Sequence, residues 1–142
     1  MKKALTLLLA LACVQAFGGC GPAKAAPQRP AAALIGEDAA SVTVSHTARG
    51  QTTEWVVSGP DLEELRAWAA GLAGEPREFE AGRTPGDTEG GAAYDFVPAE
   101  GGRPGFSYLV NGPEDCYLTL EGRWYFVRNP SAPPVAPPET AD

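Results

Sequence analysis

Lysine is confined to Lys2, Lys3 and Lys24, and histidine to His46. The remaining positive charge is scattered arginine, and 11 basic residues face 18 acidic ones for a net charge of −7. A nucleic-acid partner is not expected, because such binding rests on neutralising a row of phosphates and the chain offers no basic stripe. Cysteine is equally scarce, with only Cys13, Cys20 and Cys116. These give no zinc-ligand spacing and no disulfide framework, so an apolar core must hold the domain together. Nothing approaches the roughly 20 consecutive apolar residues of a permanent membrane span. The sequence also lacks a nucleophile elbow, a phosphate-cradling glycine loop and an HExxH pair, and no cofactor or metal is expected.

What is present begins at the N-terminus. Lys2 and Lys3 precede an apolar stretch from Ala4 to Phe17, followed by Gly18-Gly19-Cys20 and the helix-breaking Gly21-Pro22. A positive head, a short apolar run and small residues are the layout of an export signal. Phe17-Gly18-Gly19-Cys20 resembles the lipobox of bacterial lipoproteins, departing from it at Phe17, where the family prefers leucine. The resemblance covers only the first fifth of the chain. It implies a signal peptide over residues 1–19, a diacylglyceryl group on Cys20, and attachment to a cell membrane on its extracytoplasmic side. Two other readings compete: cleavage after Ala23-Lys24-Ala25 without lipid, in which lysine is a poor middle residue, or acylation of Cys13 behind a very short apolar stretch. Acyl chains contribute about 0.8 kcal/mol per buried methylene, so the two or three chains that the resemblance implies would anchor the protein without a membrane helix. Loss of Lys2 and Lys3 leaves nine basic residues against 18 acidic ones. Anionic headgroups would then repel the domain's surface, and the lipid would be its tether.

Residues 20–40 are rich in Ala, Pro and Gly and read as a lipid-anchored linker with a reach on the order of 25 Å. Residues 129–142 hold Pro130, Pro133, Pro134, Pro137 and Pro138 and read as a disordered, polyproline-like tail. Residues 41–128 form the domain. Its clearest helix runs from Asp61 to Leu72: Ser58-Gly59-Pro60-Asp61 offers capping residues, Leu62, Leu65, Ala69 and Leu72 share a stripe, and Gly74 and Pro76 end it. Strands are predicted over 41–47, 52–58, 77–81, 92–97, 106–110, 116–120 and 124–128, the last pair turning at Glu121-Gly122. The expected fold is α+β, in the order β-β-α-β-β-β-β-β: a small, mostly antiparallel sheet with one amphipathic helix on one face.

Candidates for chemistry each have a plainer explanation. Cys116 and His46 are the thiol and imidazole of the domain and together would suggest a Cys–His nucleophile. Cys116, however, is in phase with Leu118 and Leu120, as a small buried hydrophobe would be. Asp61, Glu63 and Glu64 lie where a helix dipole favours acids. Asp87-Thr88-Glu89-Gly90 lacks the alternating ligands of a calcium loop. The domain therefore reads as non-enzymatic, binding an envelope protein or a small ligand. The alternative is an inhibitor of an extracellular or periplasmic hydrolase, inserting residues 83–91 or 101–105. Pairing Leu120 with Arg123 and Leu118 with Tyr125 turns Tyr117, Trp124 and Phe126 to the opposite face. Leu109 joins them if Val110 pairs near Cys116. That aromatic patch is the expected binding surface, unless the proline-rich tail folds over it.

Overall fold

The computed structural model describes residues 28–32, 34–80, 82–85, 91–99 and 104–139. Its elements are β1 (Ser41–Ala48), β2 (Gln51–Ser58), α1 (Gly59–Gly71), β3 (Gly74–Arg77), β4 (Ala92–Pro98), β5 (Phe106–Gly112), β6 (Asp115–Leu120) and β7 (Arg123–Val127). The order of elements is the one expected. The sheet is larger than expected, because all seven strands join one antiparallel sheet in the order β2-β1-β4-β5-β6-β7-β3.

Two tight hairpins set the register. At Glu121 (φ 49°) and Gly122 (φ 77°) both turn residues are left-handed, the geometry that matches strand twist in a two-residue hairpin. Leu120 consequently pairs with Arg123 and Leu118 with Tyr125. Arg49 (φ 52°) and Gly50 (φ 74°) do the same between β1 and β2. Strand alternation then sorts the side chains. Val42, Val44, Trp55, Val57, Phe96, Phe106, Tyr108, Cys116, Leu118, Tyr125 and Val127 are buried on one face, against Leu62, Leu65 and Ala69 of α1 and Leu72 just after it. The opposite face is mostly polar over β1, β2 and β4, apart from the exposed Val56 and Val97, and there Ser45 donates to Glu54 at 3.1 Å and Thr47 meets Thr52 at 2.8 Å.

The third strand is displaced from its expected position at 77–81. Gly74 opens it because a Cβ there would lie 2.9 Å from Pro30 Cγ. Pro76 fits inside it because β3 is an edge strand, where a missing N–H need cost no ladder bond. The helix also begins two residues earlier than expected, and Ser58 makes no side-chain capping bond to it.

The segments flanking the domain depart most from expectation. Residues 20–40 were expected to be a free linker, yet Ala31, Ile35 and Ala39 are buried in the core. Gln28 exchanges two backbone hydrogen bonds with Gly74, at 2.9 and 2.7 Å, and so extends the sheet beyond β3. Arg66 on α1 reaches back to this segment, donating to the carbonyls of Gly36 at 3.0 Å and Ala39 at 2.5 Å. Arg29 donates to the Gly71 carbonyl at 2.9 Å, supplying at the helix C-terminus the cation that the last turn of α1 lacks. The expected disordered tail is likewise ordered in its first part. Asn129 closes the helix end from outside, accepting from the Ala73 N–H at 2.7 Å and donating to the Gly71 carbonyl at 2.8 Å. Pro133 is buried, and Val135 packs on the core.

These contacts predict stability losses from positions outside the expected domain or at its margin. Ile35→Ala should cost about 2–4 kcal/mol, as truncation of a buried Ile does. Asn129→Ala should cost about 1 kcal/mol, since it removes the acceptor of the Ala73 N–H, while Arg29 still serves the Gly71 carbonyl. Urea denaturation checks both; a loss within experimental scatter of zero at either site would contradict the packing.

Candidate functional site

The Cys–His pair does not assemble. His46 pairs across strands with Tyr94, Tyr94 with Tyr108, and Tyr108 with Leu118. Cys116 sits two residues before Leu118, so three strand spacings, roughly 14 Å, separate it from His46. His46 instead stacks on the Tyr94 ring at 4.4 Å. Cys116 is 2 % exposed and its thiol donates to the Gly112 carbonyl at 3.3 Å. Burial pushes the Cys116 thiol up from its ordinary pKa, against a smaller opposing effect of the neighbouring Tyr108 hydroxyl. Burial also raises the Tyr108 phenol, well above its ordinary range. A nucleophilic cysteine needs the opposite, a depressed pKa beside a base.

On the other face, Ala93, Leu109, Tyr117 and Phe126 form one cross-strand row, and Trp124 lies beside them on β7. Leu109, Tyr117, Trp124 and Phe126 are all half-buried. Their partial cover is local. Phe79, just after β3, meets Tyr117 edge-on at 5.9 Å and Trp124 at 6.0 Å. Tyr117 meets Phe126 at 5.6 Å, and the Arg77 guanidinium lies 4.8 Å above the Phe126 ring. The tail takes another course and packs on the helix side of the sheet. Trp124 and Phe79 also line an open groove of about 760 Å³ together with Arg77, Arg83, Arg123 and Gln28.

The tail's course creates a site that sequence reasoning missed. Ser131 is held by two hydrogen bonds: its carbonyl accepts from the Tyr108 hydroxyl at 3.0 Å, and its hydroxyl accepts from the Trp68 indole N–H at 3.0 Å. Trp68 in turn packs edge-on against Tyr108 at 5.1 Å. Between this strap and the sheet lies a cavity of about 360 Å³. Tyr94, Tyr108, Val110 and Cys116 form its floor, and residues 130–133 its roof. The floor was legible in the alternation of β5 and β6. The roof was not, because proline-rich segments carry no periodicity.

The remaining sequence candidates stay apart. Glu63 pairs with Arg66 along α1 and Asp61 occupies its first turn, so these acids serve the helix. Among the described residues no group of three or more His, Cys, Asp or Glu gathers as a metal site. No described helix is long and apolar enough to cross a membrane. Cys20, Asp87-Thr88-Glu89-Gly90 and residues 101–103 lie outside the described residues. No protein-family model, curated protein or solved structure matches the chain.

The thiol's surroundings predict its reactivity. In the native protein Cys116 should resist iodoacetamide and become reactive only on unfolding; rapid native labelling would restore it as a nucleophile. Both raised groups also set a pH trend. As pH climbs past the ordinary thiol and phenol pKa values, the unfolded chain releases protons that native Cys116 and Tyr108 retain, so stability should fall. A flat urea midpoint across the alkaline range would contradict this burial.

Proposed function

We propose that this chain is a lipid-anchored envelope protein on the extracytoplasmic side of a cell membrane, whose domain binds a protein or small ligand and does no chemistry of its own. The observation that carries the non-catalytic reading is the separation of His46 from Cys116, each engaged with other partners. With no other thiol or imidazole in the domain, no base stands beside its best nucleophile.

The anchor rests on Gly18-Gly19-Cys20 behind the short apolar run. The ordered flank sharpens what that anchor would do. Since Gln28 is bonded to Gly74, only the chain between Cys20 and Gln28 would serve as tether. Such a stretch extends to at most about 28 Å. The edge formed by β3 and β7, with Trp124 and Phe126, would then be the part of the domain nearest its attachment, and a partner would be met close to the membrane. The hydrolase-inhibitor alternative draws no comparable support, since most of its inserting loops lie outside the described residues.

Replacing Cys20 by Ala tests the anchor. The variant should remain an unprocessed precursor, while the wild type partitions into the detergent phase. Normal processing of the variant, together with an aqueous wild type, would remove the lipoprotein reading.

A further inference from the structure

Of the four described cavities, the one beneath the C-terminal strap is the one that no charged side chain lines. The others hold Arg77 and Glu80, Asp61 and Glu64, or Arg49. We propose that this cavity is a binding site for a small, uncharged, largely apolar molecule of two- or three-ring aromatic size, and that residues 130–133 are its lid. The proposal rests on the reading of the domain as a binding module and names the ligand class. It does not depend on the anchor at Cys20.

The chemistry of the walls selects that class. At about 360 Å³ the cavity lies in the range of small-molecule pockets. The Tyr94 and Tyr108 rings supply aromatic surface, Val110 an aliphatic wall, and Pro130 and Pro133 a rigid apolar roof. Two donors of the floor are already committed, the Tyr108 hydroxyl to Ser131 and the Cys116 thiol to Gly112. An anionic ligand would find no cation there, and only the neutral Tyr94 and Ser131 hydroxyls as uncommitted side-chain donors, inside a chain of net charge −7. A cation would find no carboxylate. Either would lose its hydration with no ion pair to offset the loss, whereas an apolar ring loses nothing on entering.

The lid follows from how the roof is held. Residues 130–133 are pinned at Ser131 to Tyr108 on the covered face of the sheet and to Trp68 on α1. Breaking those two bonds and unseating Pro133 would release the roof without disturbing a strand. Trp68 thus reports on the lid, and Val110 on the floor.

The test titrates the full chain with N-phenyl-1-naphthylamine and, separately, with 8-anilino-1-naphthalenesulfonate, the same ring system carrying a negative charge. The readouts are the Trp68 indole N–H and Val110 methyl resonances. The neutral dye should shift both saturably, and the sulfonate should bind about tenfold or more weakly, since its charge has no partner. Intermolecular nuclear Overhauser effects should connect the naphthyl protons to Val110 and Tyr94. Filling the cavity with Ala92→Phe and Val110→Phe should abolish binding of the neutral dye in a protein with an unchanged far-ultraviolet spectrum. Tyr108→Phe, which removes one lid bond and keeps the ring, should weaken binding severalfold. No shift with the neutral dye, equal response to both dyes, or Overhauser contacts confined to other residues would overturn the proposal, whether or not the filled variant folds. That failure would leave the wider binding reading to the aromatic outer face, whose contacts with Tyr117 and Trp124 the same spectra would reveal.

Discussion

One helix has to cover one face of a seven-stranded sheet. With 13 residues, α1 is about 20 Å long and 10 Å across, whereas seven strands at their usual spacing span about 29 Å. The apolar face of β1, β4, β5, β6 and β7 is therefore wider than the helix lying on it. Uncovered apolar surface of that extent costs free energy at about 25 cal/mol per Å². The chain resolves the mismatch with the segments on either side of its strands. Ala31, Ile35 and Ala39 pack from the N-terminal side, and Pro133 and Val135 from the C-terminal side.

The polar connections of the molecule follow from that arrangement. Irregular segments laid on a core bring backbone groups that no ladder satisfies. Arg66 accordingly collects the carbonyls of Gly36 and Ala39, Arg29 and Asn129 meet at the Gly71 carbonyl, and Tyr108 with Trp68 holds Ser131. Each bond links a flank to the helix or to the sheet beneath it. Cover built from an irregular strap also packs less completely than a helix would, and the uncharged cavity lies under that strap. Site and scaffold thus have one origin, the width of the sheet. The other face has less need of cover over β1, β2 and β4, where Ser, Thr, Asp and Glu side chains face water beside the exposed Val56 and Val97. Its β5–β7 portion carries the aromatic rings, and there Phe79 and Arg77 fold over them.

What was legible in the sequence was local. The Glu121-Gly122 turn and the alternation of Cys116, Leu118 and Leu120 fix a register from neighbouring residues alone, and the Leu62–Leu65–Ala69–Leu72 stripe fixes a helix in the same way. The flanks were illegible because alanine and proline signal neither period. Ala31 and Ala39 are buried by virtue of being small, which composition alone reads as linker. Proline misled at the tail, where Pro130 and Pro133 resembled disorder but form a roof, and Pro76 lies in an edge strand past the helix end it was expected to mark. The path of the tail depends on contacts such as Trp68 with Ser131, 63 positions apart, which no local pattern encodes.

The central claim, that both flanks belong to the folded unit, is tested most directly by native-state hydrogen exchange on the full chain. The amides of Gln28 and Ala39, and that of Ala73 held by Asn129, should exchange at rates approaching those of the slowest amides of the central strands, through global unfolding. Exchange of these groups at the rates of an unstructured peptide, while the central strands remain protected, would contradict the account.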